Sequence, residues 1–471
     1  MIRKILLTLT VAASLQAAAD DKGAISPEML SEFKASYQDN AANRARHNAL
    51  NAAGIEKLAF NEKVRNKFDD HFSHKVETKG ITNQKSSGRC WLFTGLNVLR
   101  AQAMAKHDLP KLTFSQNYNF FFDQLEKANL FLQGVIDTSE LPMEDRQVEW
   151  LFQNPISDGG TFCGVADIIT KYGVVPTEAM AETEVANSTS AFRRHLATRL
   201  REDGLRLRQA KAKGADEKTL QEMKTKQLGE VYKMLALALG EPPTEFSWTR
   251  RDSKGNAIET KTYTPQSFYQ ELLGNDLKNN YIMLMNDPSR EYWKVYRIDY
   301  DRHSYDGQDW TYLNVPMADL KDAAIKSIKD STAMYFSCDV GKFIDRERGT
   351  LDLENFDYES LFDTKFGMDK AERISTWGSA SSHAMTLSGV DLDAKGEPTK
   401  WLIENSWGNS GHDGYLIATD NWMDEYLFRL VVDRKYVSPK ILKAMKQDPI
   451  TLPSWDHLFL KEGARSPCIR R

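Results

Sequence analysis

Residues 82–93 read Thr82-Asn83-Gln84-Lys85-Ser86-Ser87-Gly88-Arg89-Cys90-Trp91-Leu92-Phe93, and the apolar run that begins at Cys90 continues to about His107, before Pro110. A polar, turn-rich stretch leading into helical periodicity predicts a helix whose first residue is the cysteine. A thiol at a helix N-terminus lies against unpaired backbone N–H groups and the positive end of the helix dipole, which favour its anion. A free thiol with pKa about 8.5 is only ~3% ionised at pH 7, whereas one paired with histidine can fall to roughly 3–4. On position alone, a buried structural cysteine is the default reading. The case for a nucleophile depends on what the rest of the chain supplies.

Nine histidines are available as a base. One of them, His383, stands in Ser381-Ser382-His383-Ala384-Met385-Thr386-Leu387, at the start of a predicted strand. The loop Asp393-Ala394-Lys395-Gly396-Glu397-Pro398 follows, then Trp401-Leu402-Ile403-Glu404-Asn405-Ser406-Trp407-Gly408. Read as a hairpin, the midpoint of His383 and Asn405 falls at Ala394, inside the turn. That symmetry predicts the two residues directly opposite each other, with Cβ atoms about 5 Å apart. An Asn oxygen at that separation can accept from the imidazole and fix its orientation. Nucleophile Cys90, base His383 and orienting amide Asn405 are the parts of a cysteine acyl-transfer site. Gln84, six residues before Cys90, is positioned to stand beside the Cys90 backbone N–H as an oxyanion donor. Trp407 would cover the His–Asn hydrogen bond.

The remaining text fits an enzyme of ordinary composition. The chain has 471 residues, 41% hydrophobic and 27% charged, which excludes a largely disordered or collagen-like protein. Its 62 Lys and Arg against 66 Asp and Glu give a net charge of -4, which argues against a dedicated nucleic-acid coating protein. Helices are predicted at Phe114–Leu132 and Val165–Lys171. A helical hairpin is predicted over 191–239, interrupted at Gly204 and Gly214 and carrying 12 basic and 6 acidic residues between Arg193 and Lys233. The excess reads first as a solvated helical face, and second as a site for an acidic partner. After Pro242-Pro243 the character shifts to short strands at Tyr281–Met285, Trp293–Tyr300, Ala333–Val340, Ala384–Val390 and Trp401–Asn405. Helices first and strands later predict an α+β fold.

Arg3 and Lys4, the apolar run Ile5–Leu15 and the small residues Ala17-Ala18-Ala19 read as a secretory signal. The uncharged run is too short to span a bilayer. An exported, soluble protein in the periplasm or outside the cell is therefore expected. Cys90, Cys163, Cys338 and Cys468 are too few and too widely spaced for a disulfide scaffold. No cofactor and no metal are expected: His71-x-x-His74 is the only close His pair, with no evident third ligand.

The motifs together resemble the papain-like cysteine peptidases, in particular the bleomycin hydrolase and aminopeptidase C branch. Asn83 through Phe93 carries the closest likeness, with Arg89 where simpler relatives have Ser or Ala. Further matching stretches are Asp158-Gly159-Gly160, Lys171-Tyr172-Gly173-Val174-Val175-Pro176, Met285-Asn286-Asp287-Pro288 and Leu452-Pro453-Ser454-Trp455-Asp456. The separation of 293 positions from Cys90 to His383 far exceeds the 130–150 of simple papains, as a large insertion would produce. The resemblance implies a two-part papain-like core with helical and hook-like insertions. The corresponding division is a signal at 1–19, an arm and helical half at 20–190, inserted segments at 191–330, a strand-rich half at 331–450 and a C-terminal arm at 451–471. It implies peptide substrates, a homohexameric ring and, in some relatives, nucleic acid bound in an inner channel. It also implies an aminopeptidase whose C-terminal arm lies in the cleft. Here 15 residues follow Asp456, so endopeptidase action on the same core is the alternative, with a ring-forming binding protein as the other.

Overall fold

The structure is a computed structural model that describes residues 23–458; the signal read at 1–19 and residues 459–471 of the tail lie outside the described residues. Ser26 caps the first helix by accepting from the Met29 N–H, and Pro27 stands in its first turn. That helix, α1 (Pro27–Ser36), with α2 (Ala41–Ala52), α3 (Ile55–Ala59) and the segment Tyr358–Asp363, forms a small helical unit.

Asn61–Asp357 and the chain from Thr364 onward form the second, larger unit. Its helical part contains α4 (Cys90–His107), α5 (Gln116–Asp137), α6 (Arg146–Gln153), α7 (Phe162–Tyr172), α8 (Glu184–Asn187), α9 (Thr189–Ala212) and α10 (Glu217–Leu239). Helix α4 starts at the predicted cysteine and is buried without a break from Cys90 to Ala101, the polar Thr94, Asn97 and Arg100 included. It ends at Asp108 in the left-handed region. Helix α5 begins two residues later than Phe114 because Ser115 caps it, accepting from the Tyr118 N–H.

The predicted hairpin over 191–239 forms as α9 and α10, and Gly214 lies in the turn between them with φ +88°. Gly204 does not interrupt α9. It sits inside the helix, where a Cβ would come within 3.2 Å of the Phe131 ring and 3.3 Å of Phe152. The glycine serves a close approach between helices rather than a break.

The strands are β1 (His74–Lys75), β2 (Phe246–Arg251), β3 (Ala257–Tyr263), β4 (Tyr281–Met285), β5 (Val295–Ile298), β6 (Thr311–Asn314), β7 (Met334–Cys338), β8 (Ile344–Asp345), β9 (Thr350–Leu351), β10 (His383–Leu392), β11 (Pro398–Glu404), β12 (Tyr415–Thr419), β13 (Leu427–Asp433) and β14 (Ile450–Leu452). One mixed sheet runs β14-β5-β6-β4-β13-β7-β10-β11-β12-β9-β8, with β1 added to β10, and β2–β3 form a separate hairpin. One hydrophobic core gathers around Trp91, Phe121, Phe131 and Val165, and a second around Phe336, Leu387, Trp401 and Leu430. This is the α+β architecture expected from the sequence. Helix α4 packs against β10 and β7, which sets the helix beginning with Cys90 on the strand beginning with His383.

The β10–β11 hairpin forms, but its register differs from the symmetric one. Thr386 stands opposite Glu404. Continued by one position, that register sets Asn405 against Met385, a slip of two residues from the expected partner. His383 pairs instead with Cys338 of β7. The slip is already present beside the turn, where Leu392 pairs with Pro398; irregularities between Asp391 and Leu392 and between Leu387 and Gly389 shift the ladder by one position and back again. The turn itself is fixed by Asp393, whose side chain accepts from the Lys395 and Glu397 N–H groups.

Candidate active site

Cys90 is the first residue of α4 and is wholly buried. The residue at the cap position, Arg89, makes no side-chain cap bond. The dipole and the first N–H groups of a long helix are therefore directed at the thiol without a side-chain acceptor competing for them. The segment before it is stitched to the end of the β10–β11 hairpin. Gln84 N–H donates to Ser406 O at 2.9 Å, and Gly408 N–H donates to Thr82 O at 3.0 Å. The oxyanion candidate and the segment following Asn405 are thus neighbours.

His383 and Asn405 meet despite the register. His383 Nε2 lies 2.9 Å from Asn405 Oδ1. The same oxygen accepts from the Ser406 N–H at 2.8 Å. A backbone donor on this atom identifies it as the amide oxygen, so Nε2 must carry the proton it shares with Asn405. The other ring nitrogen, Nδ1, is then the acceptor in the neutral ring; it is buried and makes no hydrogen bond among the described residues. Trp407 stacks on the imidazole, with centroids 4.9 Å apart and planes inclined by 28°. The Arg346 guanidinium covers Trp407 at 4.9 Å. Burial pulls the His383 pKa down to about 4, the Asn405 hydrogen bond opposes this, and the Arg346 charge adds to it. An imidazolium with no partner anion is unstable in this position.

Gln84 is also wholly buried. Its Nε2 donates to Ser87 O at 2.7 Å, and its Oε1 accepts from Ser406 Oγ at 2.7 Å. Both ends of the amide are therefore held, with one of the two N–H donors spent on Ser87. The structure thus joins Gln84, His383, Asn405 and Trp407 through one hydrogen-bonded and stacked cluster at the hairpin end. Cys90 follows on the loop that Gln84 belongs to.

A buried network absent from the sequence reading lies behind Trp91. His303 Nδ1 is 2.5 Å from Asp123 Oδ1, and Lys127 Nζ donates to Asp123 Oδ2 at 2.7 Å. Lys127 also donates to Gly159 O at 2.7 Å, and Thr161 N–H donates to His303 Nε2 at 3.3 Å. Trp91 Nε1 donates to Asp158 O at 3.0 Å, and the Asp158 carboxylate accepts from the Gly88 N–H at 3.0 Å. The Asp158-Gly159-Gly160 loop is thereby fixed against the start of α4. The signal available in the sequence was Asp123 and Lys127 one helical turn apart inside an apolar helix.

On the basic hairpin, positive charges have acidic neighbours. Arg199 pairs with Asp203, Arg206 with Glu202, Lys211 with Glu140 and Arg193 with Asp158. Cys90, Cys163 and Cys338 are not bridged to one another, and Cys468 lies outside the described residues.

The Peptidase C1-like family matches residues 24–459. Aminopeptidase G of Lactobacillus delbrueckii subsp. lactis is 39% identical over 430 residues, covering 91% of this chain and 98% of the relative. Aminopeptidase C of Listeria monocytogenes serovar 1/2a is 38% identical, covering 91% and 97% respectively. Bleomycin hydrolase of Homo sapiens is 38% identical over 82% of this chain and 87% of its own. The crystal structure of PepW from Lactobacillus rhamnosis HN001 superposes with a TM-score of 0.89 at 35% identity, covering 93% of this chain and 99% of that one. An α+β fold of this likeness, matched along nearly its whole length by such relatives, establishes that the chain belongs to the Peptidase C1-like family and is a papain-like, cysteine-type peptidase of the aminopeptidase C and bleomycin hydrolase branch.

Proposed function

We propose that this protein is an exported aminopeptidase that removes N-terminal residues from short peptides through a Cys90–His383–Asn405 triad. The observation that carries the reading is the Asn405 oxygen accepting from both Ser406 N–H and His383 Nε2. It fixes the tautomer and leaves Nδ1 for the thiol. Proton transfer from Cys90 Sγ to His383 Nδ1 gives a thiolate–imidazolium pair, each charge supplying what the other lacks in a buried site. The thiolate attacks the scissile carbonyl. The oxyanion takes the remaining Gln84 N–H and the Cys90 backbone N–H. His383 then protonates the leaving amine as the C–N bond breaks, giving a thioester. Water, deprotonated by His383, hydrolyses the thioester and releases the acid. Trp407 keeps solvent from the His383–Asn405 bond. No step calls for a metal or cofactor.

The aminopeptidase assignment draws on relatives named aminopeptidase G and aminopeptidase C. Export draws on the N-terminal segment Arg3–Ala19, and N-terminal sequencing of the mature protein tests it. A hexameric ring is carried over from the resemblance, and mass measurement in solution tests it. Two fluorogenic peptides of one sequence, one with a free N-terminus and one acetylated, test specificity under reducing conditions, with Cys90→Ala as blank. Cleavage of the free peptide alone is expected. Equal cleavage of the acetylated peptide would make the enzyme an endopeptidase, and no cleavage of either would overturn the reading. Gln84→Ala is expected to lower kcat by roughly 10²–10³-fold, the usual cost of one oxyanion donor, with KM little changed.

A further inference from the structure

We propose that Glu182 is a positioning residue for the oxyanion donor Gln84, acting through Arg89 and Ser87; this rests on the peptidase reading above. Arg89 precedes Cys90 and is wholly buried. Its guanidinium meets the Glu182 carboxylate at two points, Nη1 to Oε1 at 3.1 Å and Nη2 to Oε2 at 2.7 Å. This is the forked geometry that fixes direction as well as distance. The remaining Nε–H donates to Ser87 Oγ at 3.1 Å. The Ser87 hydroxyl donates in turn to Gln84 O at 2.6 Å, and Ser87 O receives the Gln84 Nε2–H at 2.7 Å. A line of hydrogen bonds therefore runs from Glu182 through Arg89 and the Ser87 hydroxyl to the Gln84 backbone carbonyl, and the backbone carbonyl of the same Ser87 holds the Gln84 side-chain amide. The rings of Phe93 and Phe120 flank the guanidinium at 5.1 and 5.3 Å, confining it to this orientation.

The segment that carries Glu182 also holds the loop by its backbone, since Ser86 N–H donates to Asn187 O at 2.9 Å. Glu182 lies just before the inserted hairpin α9–α10, so the insertion's entry is tied to the catalytic loop. Lysine could not replace Arg89, because a single ammonium cannot supply the fork to Glu182 and the directed third donor to Ser87. Removing the carboxylate leaves a buried guanidinium without its anion, and a shift of Arg89 toward water would release Ser87 and then Gln84. An oxyanion donor is useful only within a few tenths of an ångström of its target.

The test compares Glu182→Gln, Glu182→Ala and Ser87→Ala with the wild type. Two rates are read: peptide turnover as kcat and KM, and alkylation of Cys90 by iodoacetamide. Alkylation displaces iodide at a saturated carbon and forms no oxyanion, so it reports the thiolate alone. Expected is a kcat about 10–100-fold lower with KM and the alkylation rate within about twofold of wild type. In the Gln84→Ala background, Glu182→Ala should then add little. Ser87→Ala cuts the same line without unpairing a buried charge, so it reads the proposal even where the charge variants fail to fold. Undiminished kcat in the variants, or alkylation falling in step with kcat, would overturn it. Wild-type enzyme that is alkylated but cleaves no peptide would instead overturn the functional reading, and this inference with it.

Discussion

Replacing Cys90 by alanine is expected to lower kcat by roughly 10⁶-fold, the scale seen when a triad loses its nucleophile, and to change the charge on His383. Cys90 is wholly buried at the start of a helix whose interior is otherwise continuous core, so loss of one sulfur leaves the fold in place. The imidazole then loses the only anion proposed for it. Its pKa should fall to about 4 from the ordinary 6.5, because burial disfavours the cation and Arg346 adds repulsion, while the Asn405 bond recovers only part. A depressed histidine pKa means a neutral ring above it. In Cys90→Ala, the His383 ring resonance should therefore titrate near 4 and stay in its neutral position from pH 5 to 8. In the wild type it should report imidazolium through neutral pH, because the proposed Cys90 thiolate stabilises the proton on the ring. Ring titration by NMR decides the matter: a variant histidine titrating near 6.5 contradicts the burial argument, and a neutral wild-type ring at pH 7 contradicts the ion pair.

Glu404→Ala is expected to cost about 3–5 kcal/mol of stability, among the largest effects of any single change away from the nucleophile. Arg100 and Glu404 are almost fully buried, and Arg100 Nη2 donates to Glu404 Oε1 at 2.8 Å and to Gly80 O at 2.8 Å. Burial pushes the Glu404 carboxyl up from its usual range, and the Arg100 charge offsets this only in part. The pair thus adds little net stability while intact. The cost lies in breaking it, which strands a guanidinium in the core. Arg100 lies on α4, ten residues after Cys90, and Glu404 immediately precedes Asn405. The same ion pair therefore joins the helix of the thiol to the strand that leads to the orienting amide. Denaturant midpoints at constant m-value measure the effect. Arg100→Met combined with Glu404→Leu should recover much of the loss, because the apolar pair leaves no buried charge. If Glu404→Ala alone shifted stability by under 1 kcal/mol, the buried pair would not be a tie between the two elements.

Local signals in the chain were sufficient for several elements. The start of α4 at Cys90 follows from a turn-rich segment meeting a predominantly apolar helical run, and β4 at Tyr281–Met285 follows from a short apolar run between polar turns. The hairpin that carries His383 and Asn405 was also legible, because its turn residues are unambiguous. Its register was not. Beside the turn Leu392 already pairs with Pro398 and Asp393 N–H donates to Glu397 O, so the hairpin centres on Lys395 rather than Ala394, and the two irregularities farther along cancel and leave that offset in place. The contact survived the slip because an even offset keeps a strand residue on the same face, and the two side chains are long enough to meet diagonally. Gly204 shows the opposite failure. A glycine in a helical run reads as a break, yet the approach of Phe131 and Phe152 demands the missing Cβ.

The sequence by itself determined the helix that begins at the thiol, the α+β order of elements and the chemical types at Cys90, His383, Asn405 and Gln84, because each is written in a contiguous motif. The tertiary structure alone decided which ring nitrogen of His383 is committed to Asn405, how both ends of the Gln84 amide are held, and that Glu182 meets Arg89, Glu404 meets Arg100 and Asp123 meets His303. Those are contacts between residues tens to hundreds of positions apart. Their partners are chosen by where the helices and the sheet bring buried polar groups together, and a buried donor or acceptor must take whichever partner the packing supplies.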